Sequence, residues 1–175
     1  NRPERANALS QELIRALIDE VIRADEDPDV RVIVFTGTGE RAFCAGFDLK
    51  DIQERDAAGQ RYQLPMRTPL RNPFEVVLEC NTPTIAAING AAVGGGMELA
   101  AASDLRVISR QAILAMPEVK RGMAAHVGSV ILPRMLPPAI AMELLMTGEP
   151  ITAEQAAAWG FVNRLVDPED VLTTA

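Results

Sequence analysis

An α/β fold class is predicted by three features of the sequence. Apolar residues recur at helical spacing over Ser10–Ala24, and a β-branched run over Val30–Thr36 follows as a buried strand. A second strand-like run, Thr84–Ile88, ends in a glycine-rich stretch. Small residues then predict a helix over roughly Gly95–Ala102. Alternation of helices and strands along one chain is typical of α/β proteins.

The charge balance excludes one class of partner. The 175 residues are enough for one domain, and 48% of them are hydrophobic. The net charge of −7 argues against nucleic acid, which requires a basic face. No apolar run reaches transmembrane length and no signal-peptide pattern is present. We therefore expect no membrane partner and a cytoplasmic location, although the abrupt opening at Asn1 leaves an upstream targeting segment open.

Cysteine and histidine content limits the chemistry further. Cys44 and Cys80 are too few for a disulfide framework or a zinc site, so reduced thiols are expected. His126 is the single histidine, which excludes a multi-histidine metal site. No Gly-x-Ser-x-Gly elbow accompanies it, so we expect His126 in a loop or at a helix start.

In the first half of the chain, two side chains are placed to cap helices. Ser10 precedes the first amphipathic helix, and Asp48 follows Gly46 at the start of a short one. The stretch Asp51–Asn72 carries glycine, proline and many charges, so it is expected to be a mobile excursion with about one helical turn. Phe74–Cys80 is predicted as a short helix.

The second half continues the alternation, with strands predicted over 105–109, 112–114 and 161–166 and helices over 130–136, 140–147 and 153–159. Thr152 is expected to cap the last helix. In the middle one, Met142, Leu145 and Met146 are expected to face inwards. Glu118 follows a proline that ends strand pairing, a position at which a carboxylate alone is typically a solvated charge.

The glycine-rich stretch is the main candidate for a functional site. Gly94–Gly96 lies between a strand end and a helix start, where unpaired N–H groups favour an anion. Glu98 projects from the same helical face as Gly95 and suits an acid–base role beside charge that develops only during reaction. The loop around Ala45 and Gly46 offers similar N–H groups, although an ordinary turn explains it equally well. A phosphate loop is disfavoured because no Lys-Ser/Thr follows the glycines.

Four stretches in order resemble the enoyl-CoA hydratase/isomerase (crotonase) family, namely Asn1–Leu9, Phe43–Lys50, Asn89–Ala100 and Met116–Gly122. The resemblance covers essentially the whole chain. It implies one crotonase-like acyl-CoA-binding catalytic domain over 1–175, a spiral of repeated ββα units. Relatives carry strands before the first stretch and helices after the last, so the chain is expected to lack N-terminal strands and C-terminal helices.

The resemblance also implies the site residues. The N–H groups of Phe47 and Gly95 would hold the thioester oxygen as it becomes an enolate. Glu98 would orient and activate water, and Glu118 would deliver a proton to C2. Two facing carboxylates are expected to raise each other's pKa, so that one stays protonated near neutral pH.

The other implied contacts are those of coenzyme A, which the resemblance assigns to Arg5, Ala6, Ala8, Ala45, Asp48 and Leu49. Coenzyme A is part of the acyl-CoA substrate, so no metal or separate cofactor is implied. A homotrimer or hexamer is the expected assembly, and fatty acid metabolism the expected setting.

Two rival functions stay open beside the hydratase. An isomerase or another crotonase-family reaction would use Glu118 as a shuttling base, although retention of Glu98 favours hydration. A non-catalytic acyl-CoA-binding module would bind without turnover. The run 123–129 differs from the proline- and glycine-rich segment of many hydratases, which leaves the acyl-chain preference open.

Overall fold

The computed structural model describes residues 1–60 and 71–175, and in this part of the chain eight strands form two four-stranded sheets. The first sheet is parallel throughout, with the order β1 (Ile33–Thr36), β3 (Thr84–Ile88), β5 (Leu105–Ser109) and β8 (Arg164–Val166). The second has the order β2 (Ala42–Cys44), β4 (Ala91–Val93), β6 (Ile113–Ala115) and β7 (Ile151–Thr152). Only its last described pair, β6 with β7, is antiparallel.

The strands and helices repeat as ββα units. Each of the pairs β1–β2, β3–β4 and β5–β6 sends its first strand to one sheet and its second to the other, and helices follow each pair. The helices are α1 (Gln11–Glu26), α2 (Leu49–Ala57), α3 (Pro73–Leu78), α4 (Gly95–Ala102), α5 (Gly128–Met135), α6 (Pro138–Thr147), α7 (Ala153–Ala158) and α8 (Val171–Thr174). Short 3₁₀ helices span Pro3–Arg5, Pro117–Arg121 and Pro168–Asp170. The predicted spiral of ββα units is confirmed.

Helix α4 lies at the centre of the core. All eight of its residues are buried, and it packs against α3, α5, β2 and β4. A Cβ on Gly96 would lie 2.0 Å from the carbonyl oxygen of Cys44, so only glycine lets the helix approach β2 this closely.

The three predicted helix caps are confirmed. Ser10 Oγ accepts a hydrogen bond from the Leu13 N–H at 3.2 Å. The Asp48 carboxylate accepts from two N–H groups in the first turn of α2. Thr152 forms a reciprocal capping box with Gln155 at the start of α7.

The short helix that Asp48 was predicted to cap is present as α2, and residues 61–70 of the predicted excursion lie outside the described residues. Two other predictions about local structure are wrong. Met142 and Met146 are 50% and 66% exposed, because the buried side of α6 carries Ala141 and Leu144 instead. Glu118 follows the end of β6 as predicted, but it lies in a 3₁₀ helix with its Oε2 buried and is not the solvated charge that was expected.

No helix within residues 1–60 or 71–175 is both long enough and apolar enough to cross a bilayer.

Arg106 of β5 is a buried cation that links the end of α4 to the segment that follows α7. Its guanidinium lies 5.3 Å from the centre of the Phe161 ring. It donates hydrogen bonds of 2.5–3.3 Å to four backbone carbonyls, those of Phe161, Ser103, Ala100 and Asp104. These carbonyls are satisfied by one side chain, so its removal should orphan several of them at once.

We expect Arg106→Met to lower the free energy of unfolding by about 3 kcal/mol, because buried acceptors lose their donors. Urea denaturation followed by circular dichroism measures the change. Arg110→Met is the matched control: its side chain pairs with Asp167 on the surface, and we expect a change within about 0.5 kcal/mol. Equal destabilisation by both substitutions would contradict a structural role for the Arg106 network.

Candidate active site

Two backbone loops meet at the start of α4. Gly94, with φ +54°, turns the chain from β4 into the helix, and Gly95 is its first residue. The N–H of Gly95 therefore has no partner within the helix. A Cβ on Gly46 would lie 2.7 Å from the Val93 oxygen and 3.2 Å from the Gly95 nitrogen. With its φ of +84°, Gly46 thus lets the neighbouring Phe47 come beside the helix start.

The Phe47 loop is held from its other side by the N-terminal segment. Leu9 N–H donates to the Gly46 oxygen at 2.7 Å, and Asp48 N–H donates to the Leu9 oxygen at 3.0 Å. The Phe47 ring packs edge-to-face on Phe74, with 6.2 Å between ring centres. These contacts fix the loop on both sides, so its backbone has one position relative to α4.

A cavity of about 120 Å³ opens at this junction. Its lining includes Phe47, Gly95 and Glu118, so three of the four predicted catalytic residues are brought together. Glu98 is not among the described lining residues and lies buried beside them, 2% exposed. The remaining lining is formed by Ala45, Gly46, Leu49, Val93, Gly94, Pro117, Arg121 and Met123.

Glu98 is a buried carboxyl group held by a backbone donor. Its Oε1 accepts a hydrogen bond of 2.8 Å from the N–H of Gly128, the first residue of α5. Burial raises the pKa of Glu98 from 4.5 to about 7; the backbone N–H groups of residues 126–128 oppose the shift, and the charge of Glu118 adds to it. A carboxyl group with this pKa exchanges a proton readily near neutral pH.

Glu118 lies in the wall of the cavity at the start of α4. Its Oε1 would lie 2.6 Å from a Cβ on Gly94, so the carboxyl group packs directly against the turn before α4. Its Oε2 is buried and forms no hydrogen bond with any residue in 1–60 or 71–175. Burial raises the pKa of Glu118, against its own backbone N–H and the nearby His126. A buried oxygen without a partner is the state in which a neutral acid is favoured.

The cause predicted for these shifts needs correction. Each glutamate was expected to raise the pKa of the other; the charge of Glu118 does raise the pKa of Glu98, but burial is the largest cause for both glutamates.

Comparisons with known proteins agree with this geometry. The family model described as enoyl-CoA hydratase/isomerase matches residues 1–175. The chain belongs to the enoyl-CoA hydratase/isomerase family. It is 40% identical over 176 residues to a carnitinyl-CoA dehydratase of Proteus mirabilis, which covers all of this chain and 66% of that protein. The chain thus spans slightly less than two thirds of that relative's length.

Solved structures of family members superpose closely on the chain. A carnitinyl-CoA dehydratase from Mycobacterium avium is 42% identical with a TM-score of 0.87, and the match covers 99% of this chain and 67% of that one. An enoyl-CoA hydratase from Bacillus anthracis is 35% identical with a TM-score of 0.86, over 99% and 67% of the two chains. These superpositions confirm the crotonase fold.

Of the six positions predicted to contact coenzyme A, two line the cavity at the start of α4. Ala45 and Leu49 line it, and the Ala45 N–H donates to the Ala6 oxygen at 3.1 Å. Ala8 is buried, and its oxygen accepts a hydrogen bond from the Arg2 guanidinium. Arg5, in the first 3₁₀ helix, is half-buried. Contact of these residues with coenzyme A stays a prediction.

The sixth of these positions, Asp48, already has a structural role. Its buried carboxylate caps α2 and pairs with Arg2 at 2.7 Å, and these hydrogen bonds hold its pKa below the usual range against the cost of burial. We therefore expect any contact of Asp48 with coenzyme A to be made by its backbone and not by its carboxylate.

Within residues 1–60 and 71–175, no three His, Cys, Asp or Glu side chains come together as a metal site.

Sequence reasoning missed Gly128, whose N–H donates a hydrogen bond to Glu98. The only signal for it in the sequence is a glycine at the end of a small-residue loop. A Cβ there would lie 2.6 Å from Met116 Cε and 3.3 Å from Glu98 Oε1.

The raised pKa of Glu98 predicts a pH-dependent stability. The group binds its proton more tightly when folded, so its stabilising contribution is full below pH 4.5 and is lost as the pH rises through about 7. We expect the free energy of unfolding to fall by about 2 kcal/mol between pH 5 and 8 through this group. Glu98→Gln, which is neutral throughout, should lack that part of the fall.

Urea denaturation at pH 5 and pH 8 measures the difference. Glu154→Gln removes an exposed glutamate of α7 and should keep the pH dependence of the parent chain. If Glu98→Gln also kept it, the buried carboxyl group would not be the source.

Proposed function

We propose that the chain catalyses the reversible addition of water across the 2,3 double bond of an enoyl-CoA thioester. The observation that carries the proposal is the buried, unpartnered Oε2 of Glu118 in the same cavity as the start of α4. A carboxyl group whose pKa is raised by burial, lying beside a helix N-terminus, suits a reaction in which negative charge develops on a neighbouring oxygen and a proton is then supplied.

The thioester oxygen would accept hydrogen bonds from the N–H groups of Phe47 and Gly95. As water attacks C3, the electrons of the C2–C3 double bond move towards the carbonyl and create an enolate oxygen. The positive end of α4 favours that charge because the dipole and the first N–H groups point towards it. The close fit of Gly46 against Val93 supports this arrangement, since it brings both loops to one point.

The two glutamates would divide the proton transfers. Glu98 takes the proton of the attacking water, whose oxygen bonds to C3. Glu118 gives its proton to C2, which collapses the enolate to the 3-hydroxyacyl thioester. Afterwards Glu98 is protonated and Glu118 ionised, and exchange with solvent restores the starting state. The pKa of about 7 at Glu98 supports a base that works near neutral pH.

Hydration is favoured over isomerisation by the second carboxyl group. Moving a double bond requires one base that removes and returns a proton, whereas adding water also requires a group that activates the water. The similar proteins named carnitinyl-CoA dehydratase and enoyl-CoA hydratase remove or add water by name. The expected homotrimer or hexamer stays a prediction.

We expect crotonyl-CoA to lose its conjugated-enone absorbance when the chain is added. Glu98→Gln and Glu118→Gln should each lower kcat by about 10²–10⁴-fold, because each removes one proton-transfer group. Glu154→Gln, on the exposed face of α7, is the matched control and should turn over like the parent.

Two outcomes would contradict the proposal. Gain of enone absorbance from a 3-enoyl-CoA, without hydration of crotonyl-CoA, would indicate an isomerase. Binding of acyl-CoA by calorimetry, without turnover of either substrate, would indicate a binding module.

A further inference from the structure

Arg121 places a positive charge at the mouth of the candidate active site. It is the last residue of the 3₁₀ helix Pro117–Arg121 and is exposed. It lines the same cavity as Glu118, three residues before it. These two are the only described lining residues with ionisable side chains, and the rest of the wall is apolar or glycine backbone.

The guanidinium of Arg121 is not neutralised within the described part of the chain. The adjacent Lys120 pairs with Glu149, with 2.8 Å between Nζ and Oε1. No comparable ion pair or side-chain hydrogen bond joins Arg121 to a residue in 1–60 or 71–175. Nor does Arg121 serve Glu118, whose buried Oε2 lacks a partner. The cavity mouth therefore carries a cation that the protein's described carboxylates leave available.

The backbone beneath Arg121 is fixed relative to Glu118. Gly122, with φ +68°, donates its N–H to the Val119 oxygen at 3.1 Å. The Met123 N–H donates to the backbone carbonyl oxygen of Glu118, also at 3.1 Å. A residue held in this way on both sides presents its side chain from a constant position, which a selective contact requires.

We propose that Arg121 is a specificity-determining residue that favours enoyl thioesters whose acyl group ends in a carboxylate. The proposal rests on the proposed function. If C1 lies between Phe47 and Gly95, the sulfur would point towards the proposed coenzyme A positions at Ala45 and Leu49. Arg121 and Met123 line the same cavity as Glu118, so the acyl chain would extend past Glu118 towards them.

A carboxylate is the group that best matches this cation. The guanidinium is planar and always charged, and it binds carboxylates through two parallel hydrogen bonds. Coenzyme A phosphates offer the same charge, so the test compares two substrates that share coenzyme A and differ only at the acyl end.

The substrates are trans-glutaconyl-CoA, with a carboxylate at C5, and trans-5-methylhex-2-enoyl-CoA, its uncharged isostere. We expect Arg121→Met to lower the ratio of their kcat/KM values, glutaconyl over isostere, by about 10–100-fold, because a charged hydrogen-bonding pair is lost. Arg121→Lys should give an intermediate ratio, since it keeps the charge without the planar fork. Lys120→Met, which removes the neighbouring paired cation, should leave the ratio at the parent value.

Each other outcome overturns the proposal. An equal loss for both substrates would mean that Arg121 contacts coenzyme A, and an unchanged ratio would mean that it is a solvated surface charge. Turnover of the isostere by the parent tests the proposed function separately. If neither substrate turns over, calorimetric affinities of glutaryl-CoA and 5-methylhexanoyl-CoA give the same ratio for the same variants, and only a fall in Arg121→Met supports the proposal.

Discussion

The structure depends on the close approach of two loops to the same end of α4. Cβ atoms at Gly46 and Gly96 would lie 2.7 Å and 2.0 Å from the backbone oxygens of Val93 and Cys44, respectively. These distances are below any contact that a Cβ tolerates, so glycine at both positions is a condition of the fold. The same contacts bring the Phe47 and Gly95 backbones together, which means that the core packing and the proposed oxyanion site are one feature.

Burial of the glutamates is the second constraint, and it favours function over stability. A carboxyl group as deeply buried as Glu98 costs free energy when ionised, which is why its pKa rises to about 7. An apolar residue at the same place in α4 would avoid this cost. The hydrogen bond from Gly128 offsets only part of it, because that donor opposes a shift that burial still dominates. Groups with strongly shifted pKa values and specific partners are typical of active sites.

Much of the fold was predictable from the sequence because its main elements carry clear local signals. The bounds of α4 and of Leu105–Ser109 agree with the predicted ranges, and the caps at Ser10 and Thr152 are formed. The three-residue strands Ala42–Cys44 and Ala91–Val93 were missed, since a segment of three residues is too short to show alternation. Their pairing is decided by the second sheet, which is a tertiary feature.

The candidate site was predictable in its residues but less so in its physical chemistry. Motifs indicated Phe47, Gly95, Glu98 and Glu118, and the cavity and its surroundings bring them together. No sequence pattern indicated that burial rather than repulsion raises the two pKa values. That distinction depends on how deeply each carboxyl group is enclosed, which only packing determines.

A crystal structure of the chain with bound 3-hydroxybutyryl-CoA would test most directly whether the two loops at the start of α4 form an oxyanion site for a thioester. We expect the thioester oxygen about 3 Å from the nitrogens of both Phe47 and Gly95. We also expect the 3-hydroxyl group beside Glu98 and C2 beside Glu118. A thioester oxygen that faces away from the start of α4, or an acyl group outside the cavity, would contradict it.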